Sequence, residues 1–114
     1  DFSLVSIDQI VNQAAKWCYM FNGESKVPLV IRMIIGRGWG QGPSHSQSFE
    51  TIFAQIPALN VYMPVYPNDS RIIFNMFKSH QTPTISLEHR WVHYTYDTSE
   101  KQGNDWMGVP NFFF

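Results

Sequence analysis

His45 is the residue of this sequence best suited to acid–base chemistry, because an imidazole titrates near neutral pH. It lies between a glycine-rich segment, residues 36–43, and a stretch whose apolar spacing predicts a helix over residues 46–55. The first N–H groups and the dipole of such a helix favour an anion, so His45 would lie beside a bound anion and could transfer a proton. Taken alone, a histidine near a helix start is more often a capping or surface residue than a catalyst.

The glycine-rich segment is itself a candidate ligand loop, since glycine lets the backbone approach a bound molecule closely. Its glycines alternate along residues 36–42 and no Gly-Lys-Ser or Gly-Lys-Thr follows. That spacing excludes a Walker loop and the usual dinucleotide fingerprint. An irregular loop that needs glycine for its own turns is an equally good interpretation.

The other histidines form no recognisable metal or hydrolase pattern. No cysteine or paired carboxylate joins them at metal-ligand spacing, so no metal site is predicted. No nucleophile elbow or Ser-His-Asp order supports a hydrolase. Residues 89–93 could form a basic aromatic patch, although a solvated strand edge explains their composition as well. These weaker candidates are His80, His89 and His93.

The composition describes a globular chain without a general attraction to polyanions. Of its 114 residues, 44% are hydrophobic and 15% are charged, which is enough apolar material for a packed core. A formal charge of −1 argues against nucleic acid or an acidic membrane surface as partner. No apolar run is long enough to span a bilayer. The single Cys18 favours a reducing compartment, so a cytoplasmic location is expected.

Apolar spacing predicts helices that alternate with strands. Helical spacing begins after Ser6, which is expected to cap a first helix together with Gln9, and it places Cys18 on the apolar face as a buried thiol. Asn68 or Asp69 is expected to cap a later helix. The predicted helices cover residues 7–18, 46–55 and 69–77, and the predicted strands cover residues 27–35, 59–65 and 84–87.

Strands separated by helices of this length predict an α/β fold, in which a parallel sheet carries helices on both faces as three layers. The first strand is almost continuously apolar, which predicts burial on both faces. Arg32 interrupts it, and a buried arginine is expected to pair with a carboxylate or carbonyl in a structural role. A helix opens the chain and three strands are few, so we expect further parts of this domain upstream. Residues 94–114 are expected to form an irregular tail or linker.

Several segments form an ordered series along residues 2–93. They are FS (residues 2–3), IDQIVNQAAK (7–16), VPLVIR (27–32), Gly36, HSQS (45–48), FAQIPAL (53–59) and PTISLE (83–88). This series resembles one enzyme family, the beta subunit of the thiamine-diphosphate-dependent decarboxylating component of 2-oxo acid dehydrogenase complexes, of the pyruvate dehydrogenase type. The alternating glycines resemble a bacterial subgroup, which favours bacterial cytoplasm over the mitochondrial matrix.

This resemblance implies a fold and a cofactor site. Residues 1–93 would be the C-terminal portion of the transketolase-like domain that binds the aminopyrimidine ring of thiamine diphosphate. Phe2 would stack on that ring, and His45 would face the reacting thiazolium side as the catalytic residue. The partner alpha subunit would hold the diphosphate and its magnesium. The other implied partners are a second beta subunit, a lipoyl-bearing acyltransferase and a 2-oxo acid substrate.

The sequence also departs from the family pattern. The glutamate that pairs with the pyrimidine ring in the family would precede Phe2, and the potassium site of some relatives is not carried over because Lys78, Ser79 and His80 differ there. Two alternatives therefore stay open. One is a different thiamine-dependent lyase or transferase. The other is a non-catalytic interaction module that dimerises through the polar positions of the first helix, Asp8, Gln9 and Asn12.

Overall fold

The computed structural model describes residues 2–36, 41–66, 68–79 and 81–91. Three parallel strands form its sheet: β1 (Val30–Ile35), β2 (Asn60–Tyr62) and β3 (Thr84–His89). Their order is β1-β3-β2, so β3 lies in the centre. The parallel α/β sheet predicted from the sequence is confirmed, with β1 and β2 shorter than predicted and β3 longer.

The helical segment at the start of the chain begins earlier than its pattern predicts. The chain is already helical at Phe2–Ser6 as a 3-10 helix, continues through a π-helical stretch at Gln9–Ala14 and ends in α1 (Ala15–Met20). No helix start therefore exists at Ser6, and its hydroxyl donates to the Ser3 carbonyl at 3.2 Å. The predicted capping box is wrong for this reason.

The apolar face of this segment contributes to the core as predicted. Ile10 is buried and Ile7 packs against the core from the same side, whereas Cys18 is only half-buried instead of buried. One face of the sheet supplies most of the other members, because side chains alternate along each strand, and the connection between β1 and β2 supplies two phenylalanines. The buried cluster consists of Ile10, Met33, Ile35, Phe49, Phe53, Val61, Ile85 and Leu87.

The opposite face of β1 is open, which contradicts the prediction that this strand is buried on both faces. The Arg32 side chain is 68% exposed and Ile34 is 43% exposed. β1 is an edge strand of the described sheet. Side chains on its open face therefore have a neighbouring strand, β3, on one side only.

Arg32 has the carboxylate partner that its position predicts. Its Nε and Nη2 each donate to one oxygen of Glu88 at 2.6 Å, and Ser86 Oγ donates to Glu88 Oε1 at 3.2 Å. Glu88 is buried, and a buried carboxylate is costly without such partners. The hydrogen bond and the negative charge of Glu88 raise the pKa of Arg32 above its ordinary value. The pair joins β1 to β3 across the open face.

Two helices connect the strands. α2 (Glu50–Ala54) lies between β1 and β2, and α3 (Asp69–Ser79) lies between β2 and β3. The first connection crosses over β3 to reach β2, and the second runs in the opposite direction, from β2 to β3. Two right-handed crossovers that run in opposite directions put their helices on opposite faces of the sheet. Phe53 of α2 accordingly lies in the buried cluster, whereas the buried Ile73 of α3 lies outside it. This arrangement has the three layers that the sequence predicts.

Asp69 opens α3 but binds the preceding turn instead of the helix N-terminus. The residue is buried, and its Oδ2 accepts the N–H groups of Val65 and Tyr66 at 2.7 and 2.8 Å. For Asp69, the predicted capping role is replaced by closure of the turn between β2 and α3. Within the described residues, no helix is long and apolar enough to cross a membrane.

Candidate functional site

The candidate site lies at the edge of the sheet where β1 and β3 end. Ile35, the last residue of β1, is opposite His89, the last residue of β3. Gly36 and Arg90 follow these two residues directly. In parallel α/β sheets, ligands bind outside the carboxyl ends of the strands, so this edge is where a site is expected.

His45 lies on a short 3-10 turn beyond this edge. The turn is Pro43–His45, and the N–H groups of His45 and Ser46 donate to the carbonyls of Gly42 and Pro43 at 3.2 and 3.4 Å. The side chain of His45 is half-buried. A short turn, and not a helix start, therefore presents the imidazole.

The helix expected to follow His45 starts later. α2 begins only at Glu50 and has five residues, so the anion-binding helix N-terminus predicted beside His45 is wrong. Gln47 explains the difference, since its carbonyl accepts the Gly36 N–H at 3.2 Å and its Nε2 donates to the Ser44 carbonyl at 3.0 Å. These contacts tie the segment to the strand edge in a non-helical conformation.

Phe2 and His45 contact each other despite their separation in sequence. Their ring centroids are 5.0 Å apart and the ring planes are tilted by 59°. Phe2 is 72% exposed, so most of its ring surface is open beside the half-buried imidazole. The structure thus brings together the two residues that the resemblance selects.

Gly36 and His89 form a close contact that the sequence pattern did not reveal. Gly36 has φ +86°, and a Cβ built on it would lie 2.3 Å from His89 Nε2. Only glycine accommodates both the positive φ and the imidazole that packs on it. His89 Nδ1 accepts the Trp91 N–H at 3.3 Å, which holds the ring at the end of β3. A glycine directly after an apolar strand was the available signal for this contact.

Arg90 connects the end of β3 to the turn that carries His45. Its Nη2 donates to the His45 carbonyl at 3.3 Å, and its side chain is half-buried. The sequence pattern placed Arg90 only in a possible basic aromatic patch over residues 89–93 and predicted no contact with His45. His89 and Arg90, at the end of β3, therefore lie next to Gly36 and to the turn of His45.

Several segments that the sequence pattern singles out lie outside the described residues. They are residues 37–40 of the glycine-rich loop, His80, His93 and the tail of residues 94–114. Among the residues that the structure does describe, no three His, Cys, Asp or Glu side chains are grouped so that they could hold a metal ion.

Comparison with known proteins shows what the chain is related to. No family model matches the sequence. It is 40% identical over 90 residues to the beta subunit of acetoin:2,6-dichlorophenolindophenol oxidoreductase of Cupriavidus necator, and 39% identical over 110 residues to that of Bacillus subtilis. It is also 34% identical over 90 residues to the beta subunit of 2-oxoisovalerate dehydrogenase of Bacillus subtilis. The chain is homologous to one part of these beta subunits.

The homology covers most of this chain and a minor part of each relative. The two acetoin beta subunits align with 79% and 96% of the chain, which spans 27% and 31% of their own length. The 2-oxoisovalerate beta subunit aligns with 79% of the chain, which spans 28% of it. A beta subunit of the pyruvate dehydrogenase E1 component of Saccharomyces cerevisiae is 36% identical over 77% of the chain, which spans 24% of that protein. The resemblance to these beta subunits that the sequence predicted is confirmed, and it extends over one part of each of them.

Proposed function

We propose that this chain forms part of the cofactor site of a thiamine-diphosphate-dependent oxidoreductase of the 2-oxo acid dehydrogenase type. The observation that supports the proposal is the contact of Phe2 with His45 at the carboxyl edge of a parallel sheet. A flat aromatic ring and a titratable group meet there, in a homologue of beta subunits of such dehydrogenases. The complete protein would decarboxylate a 2-oxo acid oxidatively and pass the acyl group to lipoamide.

Phe2 would hold the aminopyrimidine ring of the cofactor. Its ring is mostly exposed, and an aromatic face offers a large apolar surface on which a planar heterocycle can pack. Because one side of the ring already contacts His45, the cofactor would pack on the exposed part. Such a ring fits the pyrimidine half of thiamine diphosphate, and the diphosphate with its magnesium would be held by the alpha subunit.

His45 would act on the substrate side of the cofactor. When bound, the thiazolium supplies the electron sink that stabilises the carbanion formed by decarboxylation. The imidazole of His45 would donate a hydrogen bond or a proton to the oxygen of the bound substrate, which is the role of a positioned general acid. Its half-buried position limits water around it, and this strengthens such a contact.

The assembly that we propose follows from the beta-subunit homology. The chain would work with an alpha subunit, a second beta subunit and a lipoyl-bearing acyltransferase, in the bacterial cytoplasm. The competing proposal is an interaction module without catalysis, built on the exposed helix positions Asp8, Gln9 and Asn12. Asn12 Nδ2 donates to Asp8 Oδ1 at 2.7 Å, and Asn12 Oδ1 accepts from Lys16 Nζ at 2.7 Å, so part of this polar face is already paired within the helix.

Acetoin is a second candidate substrate, because beta subunits named for acetoin are 39% and 40% identical to the chain, against 34% for the 2-oxoisovalerate beta subunit. The test is reduction of 2,6-dichlorophenolindophenol by the complete protein with its alpha subunit, assayed with pyruvate, branched-chain 2-oxo acids and acetoin. We expect turnover that requires thiamine diphosphate and magnesium. A folded assembly that turns over none of these substrates with the cofactor present would favour the interaction module.

A further inference from the structure

Arg90 reaches the main chain of His45 from the end of the central strand. The donor is Nη2, the acceptor is the His45 carbonyl oxygen and the distance is 3.3 Å. Arg90 follows His89, whose partner in the β1–β3 ladder is Ile35, so the backbone just before Arg90 is held by the sheet. A rigid element therefore contacts the peptide unit that carries the imidazole.

The turn that carries His45 needs such support. The turn has only three residues, and its own hydrogen bonds are long, at 3.2 and 3.4 Å. The neighbouring Gln47 is tied to Gly36 at the end of β1, which anchors the segment on its other side. With the His45 N–H bonded inside the turn and its carbonyl bonded to Arg90, both peptide groups of His45 are restrained. The direction of its Cα–Cβ bond follows from these two groups.

We propose that Arg90 is a positioning residue for His45, holding the imidazole at the angle and depth that the reaction requires. The inference rests on the catalytic role proposed above for His45. Arginine suits the task because its planar guanidinium is always charged and donates in a defined plane, which a flexible lysine ammonium does not. Arg90 itself would touch neither substrate nor cofactor.

The expected effect is on turnover and not on binding. A misplacement of about 1 Å in a catalytic group can lower the rate by about 100-fold. Arg90→Met, which removes the donors and keeps much of the apolar stem, should lower kcat by about 10- to 100-fold. The KM for substrate and the affinity for thiamine diphosphate should change little, because Arg90 contacts the turn of His45.

The decisive experiment is a double-mutant cycle in the complete assembly, with kcat, KM and the pH profile of kcat/KM measured for Arg90→Met, His45→Ala and the double variant. Two residues that act as a unit are not additive, so Arg90→Met should cause no further loss in the His45→Ala background. The limb of the pH profile that His45→Ala abolishes should shift in Arg90→Met. Arg71→Met on the exposed surface of α3 is the matched control and should leave kcat unchanged.

The outcomes separate this inference from the proposed function. If His45→Ala leaves kcat unchanged, the role of His45 fails and the inference fails with it. If His45→Ala lowers kcat but Arg90→Met behaves like Arg71→Met, or its loss multiplies with that of His45→Ala, the positioning role alone is overturned. Should Arg90→Met fail to fold, Arg90→Lys replaces it, with a smaller loss expected and the same absence of any further loss in the His45→Ala background.

Discussion

Replacement of His45 by Ala is expected to lower kcat of the complete enzyme by about 10²- to 10⁴-fold, the range that a positioned acid–base group contributes. The affinity for thiamine diphosphate should stay nearly unchanged, because the proposed cofactor contact is made by Phe2. The measurement is steady-state turnover together with a calorimetric titration of the cofactor. A loss of this size without loss of cofactor binding would assign His45 to the chemistry.

Ser48→Ala is a suitable control for this variant. Ser48 is exposed on the same segment, and its change to alanine removes a polar group near the site without touching the imidazole. It should retain nearly full kcat. Equal activity of His45→Ala and Ser48→Ala would show that His45 is the surface residue that its sequence position alone also allowed.

Gly36→Ala is expected to be the most destabilising single methyl addition among the described glycines. A non-glycine residue at positive φ costs roughly 1–3 kcal/mol, and here the added Cβ would also lie 2.3 Å from His89 Nε2. Three atoms of the imidazole would lie within 3 Å of the added Cβ, so the whole ring would have to move aside. We expect a loss of about 2–4 kcal/mol in the free energy of unfolding, measured by urea denaturation.

Gly23 provides a matched control for the backbone contribution. Its φ is +80° and nothing lies within 4 Å of an added Cβ, so Gly23→Ala carries the conformational cost without a clash. In a His89→Ala background, Gly36→Ala should cost about as much as Gly23→Ala does in the wild type. If Gly36→Ala lowers the free energy of unfolding equally with and without the His89 ring, the clash with that ring contributes nothing and the prediction is wrong.

Local pattern was sufficient for the sheet but not for the segment that presents His45. The apolar run rich in Val and Ile over residues 27–35 predicted the first strand, since apolar β-branched residues favour buried strands, and shorter segments between helices predicted the other two. The helix predicted after His45 failed because two long-range contacts decide that segment. The bond from the Gly36 N–H to Gln47 and that from Arg90 to His45 depend on how the strands pair, which periodicity does not encode.

The choice of Phe2 and His45 as site residues is a prediction from the resemblance and not from residue spacing. Nothing in the pattern of Phe2 and His45 predicts that their rings meet at 5.0 Å, because a helical segment, a strand and a loop intervene. The packing of His89 on Gly36 was hidden for the same reason, since it needs the register that sets Ile35 opposite His89. For Arg32, in contrast, the position of a charge inside an apolar strand predicted a carboxylate or carbonyl partner, and Glu88 is that partner. The same position did not predict that the side chain is exposed.

Binding of thiamine diphosphate is tested directly by a calorimetric titration of the cofactor with magnesium into the complete protein and its alpha subunit. We expect saturable binding that weakens clearly in Phe2→Ala, by about 10-fold for the loss of roughly 1.4 kcal/mol of aromatic contact. Phe74→Ala, which removes an exposed ring on α3, should bind as the wild type does. A folded assembly that binds no cofactor, or that binds it equally well without the Phe2 ring, would show that this edge of the sheet is not the cofactor site.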